Sequence, residues 1–246
     1  MFRNAPGIPI SKHLNIRSAA ACYSSSQLAV RMASLAGARL HVLHVSTAKE
    51  LQLFSDAPLE DKHITAEACI AHLLYRQLDY KELGTRIKCN PSIKKQADRD
   101  ALRNAVNTGV IDVIATDHAP HLLSEKEGDA LKAMSGMPMI QFSLVSMLEL
   151  AEKGIFSIET IVEKMCHAPA QIYVISEHQT AFGRSGLNCS SRIFCNSLLK
   201  SESLVVTVHG RIHWALMPIY FMYLPTVLSE MFSPVLRNSL VILGAP

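Results

Sequence analysis

The run VIDVIATDHAPH, residues 110–121, sets a carboxylate and two histidines directly after an apolar segment. Desolvating a carboxylate there is costly unless a metal, a cation or hydrogen bonds compensate. Asp117 therefore reads as a metal ligand or general base; an Asx-turn opening before Pro120 competes on equal terms. The run HVLHVST, residues 41–47, offers a second group. His41 and His44 lie three apart, so on a strand they point to opposite faces and only one can serve a metal. His44, nearer the carboxyl end, is the candidate, and His41 is expected on the outer, helix-covered face. A hydrogen-bonded histidine in a packed layer is the commoner use of such a residue. Asn90, in Cys89-Asn90-Pro91, can hydrogen-bond a substrate amide or carboxylate, or simply start a turn. With His72, the residues His44 and Asp117 make the nitrogen and oxygen donor set that zinc favours. No HExxH spacing is present, so this signal is dispersed along the chain.

These residues need elements to position them. Residues 17–36 are rich in Ala, Ser and Leu without Gly or Pro and predict a helix, with Gly37 at its C-terminal cap. Residues 39–45 predict a strand, residues 48–54 a short helix, and residues 63–67 a second strand. Residues 85–88 predict a third short strand ending at Cys89-Asn90-Pro91. Residues 94–108 predict an amphipathic helix closed by Gly109, and residues 110–115 a fourth strand. Two helices, 140–153 and 158–166, complete the pattern, with Ser157 as N-cap of the second. Strands alternating with helices predict βα units and a parallel sheet. Three of the four strands end on chemically capable residues, and in such folds chemistry gathers at the carboxyl ends of strands.

The chain has 246 residues, of which 49% are hydrophobic and 18% charged, so it can bury a core of one large or two small domains. A net charge of +3 without a basic run gives no footprint for nucleic acid. The six cysteines form no CxxC pair and no signal segment precedes them, which predicts reduced thiols in a cytoplasmic protein. Composition shifts after residue 185, where Arg192, Lys200, Glu202, Arg211, Glu230 and Arg237 are the only charged side chains. The apolar stretch 212–228 is shorter than the roughly 20 residues of a membrane span and carries His213, Pro218 and Pro225. A membrane partner is therefore not expected.

Read together, the motifs resemble class I dihydroorotases, within the amidohydrolase superfamily. The matching text is His44-Val45-Ser46-Thr47, Ile64-Thr65-Ala66-Glu67, Lys88-Cys89-Asn90-Pro91, Ala115 through His121, and Ser135-Gly136-Met137-Pro138. The run 115–124 and Glu163 through Ala170 are similar to the form in Bacteroidetes-type enzymes. The resemblance implies part of a (β/α)8 TIM barrel of the metal-dependent hydrolase type, strands five to eight, over residues 1–183. It implies two zinc ions in the complete enzyme and hydrolysis of dihydroorotate to N-carbamoyl-aspartate in pyrimidine biosynthesis. His44 matches a metal histidine, Asp117 a metal-bound aspartate that moves the proton, and Asn90 and His121 residues that hold the substrate. At the sixth-strand ligand position this sequence has Ala71, with His72 as the offered substitute. The family's opening His-x-His strand and the carboxylated lysine of its fourth strand have no counterpart in the sequence. The expectation is a chain that binds zinc weakly and has little or no activity. Residues 184–246 do not resemble the family's continuation, and a shifted reading frame or a misjoined gene model is expected to account for that irregular tail. Alternatives are an allantoinase or hydantoinase type of cyclic amidohydrolase, or a non-catalytic dihydroorotase-like scaffold; a homodimer is expected for the complete protein.

Overall fold

The computed structural model describes residues 7–173 and the backbone of Leu240–Leu243. The sequence-predicted domain boundary at residue 183, the remainder of the tail and its frameshift reading lie outside these residues. The chain divides into two compact units, Met1–Ile161 with Val241–Pro246, and Val162–Leu240.

In the first unit a short helix α1 (His13–Ile16) leads into α2 (Ala19–Ala36). The Ser18 hydroxyl accepts from the Ala21 amide at 3.2 Å, and Gly37 closes α2 at φ 62°. Strand β1 (Arg39–Val42) follows, then β2 (Ile64–Cys69), running straight into α3 (Ile70–Leu74). After α4 (Tyr80–Leu83) comes α5 (Gln96–Asn107), then β3 (Val113–Ala115), α6 (Ser143–Glu152) and α7 (Ile158–Val162). Ser157 caps α7, its hydroxyl accepting from the Thr160 amide at 3.1 Å. In the second unit a π-helical turn Glu163–His167 runs into α8 (Ala168–Ile172). The last strand is β4 (Leu240–Leu243).

The sheet order is β3-β2-β1-β4, with β1–β2 and β2–β3 parallel. Residues 85–88 do not form the expected strand: Gly84–Ile87 is a 3-10 turn, and β3 pairs directly with β2. Leu83-Gly84 starts the turn, and the Lys88 amide closes it on the Thr85 carbonyl at 3.0 Å, so those groups do not join the ladder. The tail also contributes regular backbone at β4, where no periodicity predicted it.

Register explains the two faces of the sheet. Leu40 pairs with Ile64 and Val42 with Ala66, and Ala68 with Ile114, giving an apolar face that is buried at Leu40, Val42, Ala66, Ala68 and Ile114. The opposite face carries His41, Thr65, Glu67 and Cys69. His41 thus shares its face with Thr65, Glu67 and Cys69. Its Nδ1 lies 2.8 Å from the Thr65 hydroxyl, and its Nε2 lies 3.6 Å from Glu67 Oε2. Strand alternation does not carry as far as His44, because β1 ends at Val42 and the chain turns through a left-handed residue at His44.

At the amino ends of β2 and β3 a buried ion pair fixes the register. Lys62 Nζ donates to Asp112 Oδ1 at 2.7 Å and to the Gly109 carbonyl at 2.8 Å. Asp112 Oδ2 accepts from the Ala66 amide at 2.9 Å, so the pair is hydrogen-bonded as well as charged.

Candidate functional site

The carboxyl ends of the strands gather the sequence-predicted residues. His44 and Asp117 follow β1 and β3, and they are the only non-glycine residues with positive φ among the described residues, at 42° and 46°. A left-handed backbone at a β-carbon-bearing residue costs about 1–3 kcal/mol and persists only where surrounding contacts hold it. Those contacts are visible after β1. The buried Glu50 carboxylate accepts from the Ser46 amide (3.3 Å), the Thr47 amide (3.1 Å), the Thr47 hydroxyl (2.8 Å) and the Ser26 hydroxyl (2.7 Å). Glu50 thus clamps the turn that presents His44, although it is not among the residues expected from the sequence. The pattern Thr47-x-x-Glu50 is a capping box, so a signal for it is present in the sequence.

His44 Nδ1 is buried without a hydrogen-bond partner. Burial pushes the Asp117 carboxyl above its ordinary range, His44 pulls it down, and Glu67 pushes it up. Asp117, His44 and Glu67 therefore sense one another. Cys69 and Cys89 belong to the same neighbourhood: burial raises both thiols, Cys89 to about 12, and the charge of Asp117 adds to each shift. Both thiols stay protonated and inert at neutral pH.

His72 is placed otherwise. It sits in α3, buried, with Nε2 2.9 Å from the Pro91 carbonyl and Nδ1 unpartnered. The ring nitrogen facing a carbonyl must carry the proton, and burial holds the ring neutral, its pKa lowered to about 4. Its hydrogen bond fastens the segment bearing Asn90 instead of offering Nε2 to a metal. Among the described residues no three His, Cys, Asp or Glu side chains are grouped to hold a metal ion. A zinc site draws at least three protein ligands. His44 and Asp117 have the donor chemistry, but the described residues alone do not fit a zinc ion.

Asn90 lies at the mouth of the site, before Pro91 in a cis peptide, and its buried Oδ1 has no donor. His121 is half-buried, with Nε2 3.1 Å from the Ser135 carbonyl and Nδ1 3.6 Å from Glu125 Oε2. Gly136 makes that packing possible. At its φ of 139°, a Cβ would lie 2.5 Å from the Ala119 Cβ and carbonyl oxygen and 3.1 Å from His121 Nε2. The adjoining loops are laced together by Ala119 amide to Met137 carbonyl (3.0 Å) and Gly136 amide to Lys88 carbonyl (2.9 Å). His118 accepts from the Ile140 amide at 3.1 Å and so serves the loop.

Polar residues gathered at the carboxyl edge of a parallel α/β sheet stand where active sites of α/β barrels lie. No protein-family model matches the chain. It is 34% identical over 167 residues to the dihydroorotase of Deinococcus radiodurans, covering 67% of this chain and 40% of that protein. It is 38% identical over 141 residues to the dihydroorotase of Aquifex aeolicus, covering 57% and 33%. Among solved structures, the L-hydantoinase (dihydropyrimidinase) of Arthrobacter aurescens superposes with a TM-score of 0.57 at 30% identity, over 61% of this chain and 34% of that one. The dihydropyrimidinase of Brevibacillus agri shares the fold at a TM-score of 0.60 and 23% identity, over 67% and 37%. The chain spans about two fifths of the length of the Deinococcus relative. The described segment is thus similar to part of these dihydroorotases and shares the α/β fold of part of these hydantoinases. No helix among the described residues is long and apolar enough to cross a membrane.

Proposed function

We propose that this chain carries part of the active site of a dihydroorotase, which opens the cyclic amide of dihydroorotate to N-carbamoyl-aspartate. The observation that carries this reading is the pair His44 and Asp117, strained and electrostatically coupled at the carboxyl ends of β1 and β3. The likeness to curated dihydroorotases supports it over a hydantoinase or allantoinase reading.

In this reading Asp117 handles the proton. A carboxyl raised by burial can accept a proton from the attacking water and return it to the leaving ring nitrogen. The unpartnered Asn90 Oδ1 accepts a ring N–H, and His121, released from Ser135, orients the substrate carboxylate. Zinc is the family's expected metal; His44 and Asp117 would contribute to it, with further donors required beyond them. Barrel strands five to eight are the assignment we favour for this region.

The test is turnover and zinc content of the purified chain, with dihydroorotate, allantoin and hydantoin as substrates. The chain alone is expected to bind zinc weakly and hydrolyse little dihydroorotate. A longer product of the same locus is expected to act on dihydroorotate in preference to the other two rings. Turnover by the chain alone at the rate of a complete enzyme overturns the expectation of inactivity, and preference for hydantoin or allantoin overturns the substrate.

A further inference from the structure

Among the described residues four lysines are buried: Lys62, Lys88, Lys94 and Lys126. Lys62, at the amino end of the strands, is neutralised by Asp112 at 2.7 Å. The other three surround the Cys89-Asn90-Pro91 segment, and none has a carboxylate within 4 Å among the described residues. Their ammonium groups are held by neutral oxygens instead. Lys126 Nζ donates to the carbonyls of Lys88 (2.8 Å), Met134 (2.9 Å) and Gly136 (2.8 Å). Lys94 Nζ donates to the Arg17 carbonyl (2.8 Å), the Ser92 carbonyl (3.2 Å) and the Ser92 hydroxyl (2.7 Å). Lys88 Nζ donates to the Ala133 carbonyl.

Carbonyl dipoles solvate an ammonium but do not cancel its charge, and an unneutralised buried charge is expensive. Burial lowers the pKa of both Lys88 and Lys94, and Asp129 and Glu50 offset this only at longer range. Asp117 is not their counterion, because no ion pair joins it to a lysine among the described residues. Yet Lys94 and Lys126 act on the same Cys89 thiol that Asp117 does, so their field reaches the site. The fold thus pairs its buried lysine away from the site and leaves three without a carboxylate partner around the Cys89-Asn90-Pro91 segment, Lys126 still largely protonated at neutral pH with its pKa lowered to about 8.

We propose that Lys88, Lys94 and Lys126 form a fixed electropositive frame behind Asn90 that selects a ring bearing a carboxylate over a neutral ring. The frame acts through its field, since its protons are already committed to carbonyl and hydroxyl oxygens. It rests on the cyclic-amide reading above and adds the specificity determinant to it.

The experiment is calorimetric titration of the 246-residue chain with dihydroorotate, hydantoin-5-acetate and dihydrouracil at low and moderate salt. Both carboxylated rings are expected to bind more tightly than neutral dihydrouracil, with a preference that shrinks as salt rises. Lys126→Met is expected to weaken the carboxylated rings about tenfold and leave dihydrouracil unchanged. Because Lys126→Met can also loosen its loop, Lys94→Met, at a side chain that touches Arg17 and Ser92 instead, serves as the second variant with the same expected result. The frame is overturned if neutral and carboxylated rings bind the unmodified chain alike, if no carboxylated ring binds, or if both variants weaken all three rings equally. If the anion preference holds but hydantoin-5-acetate binds as well as dihydroorotate, the frame stands and the dihydroorotase reading falls.

Discussion

Acidification is expected to unfold this protein through two buried histidines, and His72 is the sharper case. Its Nε2–H is spent on the Pro91 carbonyl at 2.9 Å, its Nδ1 has no partner, and burial holds its pKa at about 4 against an ordinary 6.5. Because the folded value is depressed, the unfolded chain binds the proton more readily below pH 6.5. Stability from the neutral ring is therefore complete above pH 6.5, falls as pH drops toward 4, and is fully lost below that. At about 1.4 kcal/mol per unit, the loss amounts to about 2 kcal/mol at pH 5 and about 3 kcal/mol below pH 4. His13 repeats the arrangement, with Nε2 3.0 Å from the Cys89 carbonyl and a pKa also lowered to about 4, so the two together cost about 4 kcal/mol at pH 5. That is a large share of the ~5–15 kcal/mol by which a domain is stable. Urea unfolding at pH 7 and pH 5 measures it. His72→Gln keeps a donor for Pro91 and removes the titration, so its drop between the two pH values should be about half that of the unmodified chain. An equal drop in both proteins, or an imidazole pKa near 6.5 for His72 by NMR, refutes the reasoning. Zinc added at pH 7 should protect both proteins equally, since the His72 ring is occupied with Pro91; protection lost only in His72→Gln would make it a ligand.

The remaining expectations concern the framework around the site. Asp112→Asn strands the Lys62 ammonium in the interior, and a loss of about 3–5 kcal/mol by chemical denaturation is expected; a loss below ~1 kcal/mol would mean that water reaches the pair. Gly136→Ala drives a methyl to 2.5 Å from Ala119, so amide exchange should rise across residues 118–137; unchanged protection there would show that the loop yields without cost. His44→Gly removes a side chain from a left-handed backbone, so thermal stability should hold or rise by about 1 kcal/mol of relieved strain. A fall in melting temperature would place His44 among the residues that stabilise the fold.

The parts of this protein legible in its sequence are those fixed by local physics. Alternating apolar residues marked β1, Gly37 closed α2, and the Asp-His-Ala-Pro-His block located the mouth of β3. Three features escaped because they depend on atoms far apart in the chain. The segment before Asn90 has strand-like residues, but the Lys88 carbonyl goes to Lys126 and Gly136, 38 and 48 positions later, and the ladder passes it by. The face of His41 could not be read from spacing to His44, since a left-handed turn between strand and loop resets the alternation. His72 looked like a zinc donor by type, but its partner is a backbone carbonyl, which no side-chain pattern announces. Buried lysines mislead in the same way. In sequence Lys62 and Lys126 are equivalent surface residues, whereas in the fold one completes an ion pair at the stability end and the other keeps its charge at the site. A buried cation left without a counterion beside otherwise coupled polar residues is informative because the carbonyls that hold it tie the loops together without cancelling its charge.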